Sequence, residues 1–262
     1  MEQAIAALVS HMDYFLLIFV RTTALIVASP IFGHRNVPNT VKVAFCLVLA
    51  YVIFAANPTG PTIAYAGLWG YAVMFIKELL FGLVLGYVTT LFFSIPQTSG
   101  FIMDMQMDFG MASAYDTMSN TNVPLTGNLL NIVMLITFFG VNGHTKLIYI
   151  LNSTFAHIPV GQVALNATLG TTALEVFALA FVLAINVAIP VVVAGLLGEV
   201  ALGILVRTIP QMNIFVIGIP MKILLGLAVL ALVIPVYVGF TDTLFNQMFI
   251  SIDKMLTGLV KP

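Results

Sequence analysis

Charge is what this chain has least of. Nine Lys and Arg and ten Asp and Glu make up 7% of its 262 residues, where a water-soluble domain carries about a quarter. That little polar surface cannot clothe the chain in water. With 61% hydrophobic residues and a mean hydropathy of +1.11, most of its exterior must face lipid or the apolar flanks of other membrane proteins. Clustered positive charge is missing as well. The net charge is −1 and no run of Lys and Arg occurs, which argues against nucleic acid as a partner. The only cysteine, Cys46, lies in the apolar run 43–50; it can form no internal disulfide and reads as a small buried apolar residue. No Lys or Arg precedes Arg21, while Glu2 and Asp13 do. No cleavable signal peptide is therefore expected, and the first apolar run is expected to be retained.

Enzyme signatures are missing too. His11, His34, His144 and His157 show no metal-ligand spacing, and there is no nucleophile elbow, Walker loop or dinucleotide fingerprint. Asp104 and Asp108 stand at i, i+4, the spacing of an aspartyl dyad. Between glycines in a polar connection, solvated or helix-capping carboxylates fit them better. No catalytic, cofactor or metal site is expected, and the length leaves no mass for a soluble catalytic module.

What the chain has is long apolar runs: 14–32, 41–56, 63–95, 125–141, 172–197 and 214–240. A membrane-crossing helix needs about 20 apolar residues. Turn chemistry at Asn57-Pro58-Thr59-Gly60-Pro61 and at Asn142-Gly143 separates them, and short connections predict paired helices. The fold class is all-α, of integral-membrane helical hairpins. The runs are nonetheless flawed as independent spans. The run 41–56 is short, 63–95 is too long for one straight crossing and carries Lys77-Glu78, Arg21 interrupts the first, and Pro190, Pro220 and Pro235 interrupt the last two. Proline deletes a helical hydrogen bond and bends the helix. Broken helices are tolerable only against protein or a water-filled cavity, which predicts a chain built for hetero-oligomeric assembly. Topology does not follow from charge: Arg35 and Lys42 mark the first connection as cytoplasmic, yet no Lys or Arg occurs between Lys77 and Lys146.

The connection 97–124 concentrates five of the 13 methionines, interleaved with Asp104, Gln106, Asp108 and Phe109. Gly100, Gly110, Ser113, Ser119, Asn120 and Asn122 add backbone freedom there. Methionine is unbranched and polarizable, so a cluster can seal an irregular gap and repack; ordinary packing on neighbouring helices is the plainer reading. Charges inside apolar runs cost at least a few kcal/mol each. Lys77 and Glu78 point to different sides of a helix and need separate partners; Glu199 and Arg207 fall near one helical face; Lys222 follows Pro220. Interhelical or intersubunit pairing suits them better than an ion relay, because no chain of Asp, Glu and His lies along one helix. Gly82 and Gly86 form a GxxxG spacing that lets helices approach closely. The tail 241–262 repeats Leu244, Phe245, Met248, Phe249, Ile252, Met255, Leu256 and Leu259 at helical spacing, an amphipathic helix lying at the membrane interface or docking on a partner.

A series of motifs then resembles the flagellar members of the FliR/SpaR/YscT family of type III secretion export-gate proteins. It runs from Arg21, Ser29-Pro30-Ile31-Phe32-Gly33 and Val37-Pro38-Asn39-Thr40-Val41-Lys42 to Lys77-Glu78-Leu79-Leu80-Phe81-Gly82 with Gly86. Gly100, Asp104, Gln106, Phe109-Gly110, Asp116, Asn142-Gly143-His144 and Pro159-Val160-Gly161 continue it. Glu199, Gly203, Arg207, Pro210-Gln211-Met212-Asn213, Gly218, Pro220 and Lys222 complete it. Two departures stand out: Asp108 where the family usually has glycine, and Thr117 where proline commonly follows the aspartate. The resemblance implies a non-catalytic subunit in the bacterial inner membrane and the flagellar basal body. It implies co-assembly with FliP and FliQ, FlhB nearby, and passage of unfolded export substrates. It implies a FliP-like portion over 1–166, a FliQ-like hairpin over 167–240 and the helical tail 241–262. By the same resemblance the 97–124 connection is a pore plug, with Met103, Met105, Met107, Phe109, Gly110, Met111 and Met118 as its seal. Arg21, Lys77, Glu78, Gly82, Gly86, Glu199, Arg207 and Lys222 are expected at assembly contacts. The competing reading is a secondary transporter with discontinuous helices and midplane charges, which the lack of an inverted repeat disfavours.

Overall fold

In a computed structural model, which describes residues 11–33, 36–56, 67–109, 124–164, 166–209 and 214–259, every element is an α-helix. The helices are α1 (Met12–Ala28), α2 (Asn39–Ala56), α3 (Gly67–Gln106), α4 (Leu125–Gly140), α5 (Gly143–His157), α6 (Thr168–Thr208) and α7 (Ile214–Thr257). Helix ends sit where backbone chemistry allows them. Ser29 leaves α1 in an extended conformation just before Pro30. Asn142 adopts a left-handed backbone (φ 57°) between α4 and α5, a conformation Asn tolerates better than most residues. The two helices bend there by 65°. This is the broken helix of the fold.

Pro96, Pro190, Pro220 and Pro235 all lie inside continuous helices. A proline removes one helical bond, whereas stopping the helix would leave about eight end groups unsatisfied in an apolar setting. Continuing is the smaller loss. The same continuity corrects two boundaries. Residues 97–106 are the last turns of α3 rather than a loop, and α7 runs on through the amphipathic stretch.

Four helices (α2, α3, α6 and α7) are long and apolar enough to cross a membrane, or five if the bent α4–α5 pair is one span. Six apolar runs therefore do not give six straight crossings. Helix α1 has only 17 residues, and α4 with 16 needs α5 to complete it. Helix α3, with 40 residues, is about 60 Å long, twice the roughly 30 Å hydrocarbon core.

The chain forms two compact units. The first comprises residues up to Leu91, Asn142–Val176 and those from Gln247. Phe54 meets Tyr14 and, edge-on, Phe15 at 6.1 and 5.9 Å; Phe32 stacks on Phe45; Cys46 is fully buried. The end of α7 docks on the 164–166 segment, where Ala164 and Asn166 amides donate to the Leu259 and Gly258 carbonyls. The second unit comprises Phe92–Val141 and Phe177–Asn246. Phe138 is ringed there by Phe93 and Phe245 at 5.2 and 5.3 Å. Of the apolar residues of the amphipathic stretch, Leu244, Phe245, Met248, Ile252, Met255 and Leu259 are buried within the chain itself, and Phe249 and Leu256 are half-buried.

Helix α3 crosses α4 at Gly100, where an added Cβ would collide with the backbone of Gly127. Gly203, in the next-to-last turn of α6, has nothing within 4 Å of such an atom. Gly100→Ala is therefore expected to destabilise the purified chain by about 1–3 kcal/mol. Gly203→Ala should leave it unchanged or up to about 1 kcal/mol more stable, both read from thermal unfolding in detergent.

Candidate functional site

Burial of charge defines the first site. Arg21 on α1 and Glu78 on α3 are both completely enclosed, and Arg21 Nε donates to Glu78 Oε2 at 2.5 Å. Arg21 Nη1 also donates to the Ile158 carbonyl at 3.0 Å and reaches Thr154 Oγ1 at 3.5 Å. The Gly161 amide donates to the other Glu78 oxygen at 2.8 Å; Gly161 has φ 83°, which only glycine adopts readily. The guanidinium lies over the rings of Phe81 and Phe155, 4.2 and 4.5 Å from their centroids. One ion pair thus ties α1, α3, α5 and the turn after α5.

The glycine pair explains how the charges come within reach. A Cβ at Gly82 would stand 2.5 Å from the Ala24 Cβ and the Arg21 carbonyl, and one at Gly86 would strike Ala28. Gly82 and Gly86 therefore serve the close approach of α1 to α3 inside this chain. Thr90 Oγ1 adds a 2.7 Å bond to the Ala28 carbonyl. The partner each charge requires is in the same chain, 57 positions away. Lys77, half-buried beside Glu78, has no described carboxylate within ion-pair distance.

The second site lies in the other unit, where α3 ends. Lys222 Nζ stands 2.6 Å from Glu199 Oε1 and 3.0 Å from Asp108 Oδ2, and Gln106 donates to the same Glu199 oxygen at 3.4 Å. Asp108 has φ 58°. That left-handed backbone suits glycine best, and Asp is among the few other residues that accept it. In exchange its carboxylate reaches Lys222. Arg207, which shares a face with Glu199 on α6, stays exposed in the last turn with no described carboxylate in reach.

Asp104 and Asp108 form no dyad. Asp104 is buried and accepts from the Thr126 amide at 3.2 Å and from the Thr126 hydroxyl, which caps the start of α4. Of the seal candidates, Met103 and Met107 are buried one turn apart, and Met107 fills the space beside Gly226. Met105 points outward at 65% exposure and Phe109 is half-buried. Gly110, Met111 and Met118 lie outside the described residues. Among the described residues no group of three or more His, Cys, Asp or Glu could hold a metal ion.

Sequence patterning offered helix capping as a role for Asp104 but not its partner Thr126, and it did not disclose the Arg21–Glu78 pairing. The only available signal was that each charge in an apolar run must find a partner; it does not say which one.

Its helices, four or five of them long and apolar enough to cross a membrane, put the chain in the all-α membrane-protein class. Residues 12–248 match the family described as bacterial export proteins, family 1, and the chain belongs to that family. Over 241 residues it is 30% identical to the flagellar biosynthetic protein FliR of Escherichia coli (strain K12), covering 91% of each chain. The FliR of Bacillus subtilis (strain 168) is 32% identical over 245 residues, 92% of this chain and 94% of that protein. The FliR of Aquifex aeolicus is 23% identical over 247 residues, 94% and 95% of the two.

Removing one member of a buried pair strands the other charge. Arg21→Met or Glu78→Met alone is expected to cost about 3–5 kcal/mol, and the double replacement less than either, measured by thermal unfolding in detergent. Asp108→Gly should stay within about 0.5 kcal/mol of the parent, because relief of the backbone offsets a partly exposed ion pair. Asp108→Val should lose about 1–2 kcal/mol or more.

Proposed function

We propose that this chain is a non-catalytic subunit of the flagellar type III protein export gate in the bacterial inner membrane. In this reading it assembles with FliP and FliQ, close to FlhB, and lines the path of unfolded export substrates. The observation that carries the proposal is similarity along nearly the whole chain, residues 12–248, to export proteins whose relatives are named for flagellar biosynthesis.

Surface chemistry supports it. The most apolar stretches of α2 and α7 are only 22% and 17% buried within the chain, so lipid or neighbouring subunits must cover the rest. Arg207 has no described carboxylate in reach, and Lys222 and Glu199 keep part of their surface open; these three are assigned to assembly contacts. A FliP-like portion over 1–166 and a FliQ-like hairpin over 167–240 would place them beside like subunits. The plug is assigned to the connection that follows Gln106 at the end of α3. Met103 and Met107 anchor its base inside the chain, and Met105 offers a flexible apolar side chain outward.

Two measurements test this. Deleting 110–119 spares Met107 and Asp108, and should raise ion conductance through the gate assembled with FliP and FliQ. Unchanged conductance removes the plug. Arg207→Leu should leave membrane insertion intact but lower FliP recovered with the chain, and equal recovery removes Arg207 from the interface. Solute flux through the purified chain alone in liposomes, without FliP or FliQ, would instead establish a transporter.

A further inference from the structure

Lys77 lies inside a candidate span, half-buried, with no described carboxylate within ion-pair distance. Burying an unmatched ammonium is costly, so its surroundings matter. It borders a cavity of about 380 Å³ whose other wall is the 157–164 turn, which contributes the polar side chains His157 and Gln162. One turn further along α3 a second cavity of about 320 Å³ begins, lined by Leu80, Val84 and Tyr87 on α3, Leu169 and Ala173 on α6, and Met255 on α7. It contains no charged side chain. The two linings follow one another on both walls: Lys77 then Leu80 on α3, Ala164 then Leu169 opposite. Positions 77, 80, 84 and 87 keep the three-four spacing of one helical face. The far end is closed by the Tyr87 hydroxyl donating to the Ala173 carbonyl at 3.3 Å.

We propose that this groove of the first unit holds one anionic phospholipid, its phosphate on the Lys77 ammonium and an acyl chain along Leu80–Tyr87. The dimensions match. From Lys77 to Tyr87 the helix rises about 15 Å, half of a roughly 30 Å hydrocarbon core and thus the reach of one leaflet's chains. Anionic lipid also supplies the counter-charge that Lys77 lacks, which zwitterionic lipid does only in part.

The test uses the full chain purified in detergent with the subunits that accompany it. Retention of phosphatidylglycerol and of phosphatidylcholine with the same acyl chains is measured by native mass spectrometry. One phosphatidylglycerol is expected to be retained about fivefold better, the effect of a single lysine on anionic lipid. Lys77→Gln should bring the ratio near one and Lys77→Arg should keep it. Ala173→Leu, which fills the apolar half, should lower retention of both lipids. Inorganic phosphate at millimolar concentration should not displace the lipid. Equal retention by the parent, an unchanged ratio in Lys77→Gln, displacement by phosphate alone, or a groove occupied by a copurifying subunit would each overturn the proposal.

Discussion

Two opposite charges withdrawn entirely from solvent, Arg21 and Glu78, set the terms for the first unit. Each alone would carry a desolvation cost of several kcal/mol, and their attraction repays it only when geometry is close and the remaining hydrogen-bonding groups are met. The chain meets the first condition in full and the second except at Arg21 Nη2, which is buried with no hydrogen-bond partner among the described residues. Gly82 and Gly86 let α1 and α3 approach until Nε and Oε2 stand 2.5 Å apart. The Ile158 carbonyl and the Gly161 amide then occupy further lone pairs and protons. Such an arrangement adds little stability over an apolar core of equal volume, but it penalises every other docking of α1, α3 and α5. Its value lies in specifying one packing among apolar helices that would otherwise slide past one another.

The same logic, less strictly applied, organises the other unit. Lys222 answers two carboxylates, Glu199 and Asp108, at a site still partly open. Asp108 sits where the backbone turns left-handed at the end of α3. Just before it, Asp104 caps the start of α4 through Thr126. The entry to the methionine-rich connection is therefore held from two sides by charge, while Met103 and Met107 hold it by burial. Under the proposed plug role, a segment that seals and releases would need a fixed base of this kind, because slack at the root would cost the seal its register.

Composition and apolar periodicity made the helices legible, along with the turn at Asn142 and the membrane setting. Local chemistry carries that information: an apolar run has few alternatives to helix in lipid, and Asn-Gly has few alternatives to a turn. The motif series carried the family. Pairings were not legible, because Arg21 and Glu78 are 57 positions apart and nothing local distinguishes a partner in the same chain from one in a neighbour. The length of α3 was hidden for a related reason. Pro96 and Gly100 read as helix breakers, yet the helix runs through both, because ending it would strand more hydrogen-bonding groups than the proline removes. Gly100 proved to be a contact glycine, needed where α3 crosses Gly127, rather than a flexible one.

Charges in this chain divide by how completely their partners are supplied. Arg21 and Glu78 answer each other's charge inside the chain and have no surface to offer. Lys222 and Glu199 are answered but accessible, so they can stabilise this chain and still respond to a neighbour. Lys77 and Arg207 have no described carboxylate in reach. An unanswered charge beside apolar surface must be completed from outside, and its neighbourhood indicates by what. A narrow groove that turns from polar to wholly apolar along one helix face suits an amphiphile. An exposed cation in the last turn of a helix, flanked by open apolar surface, suits another protein. That graded incompleteness is what a subunit needs if it is to fold before it assembles and yet remain unfinished until lipid and neighbours arrive.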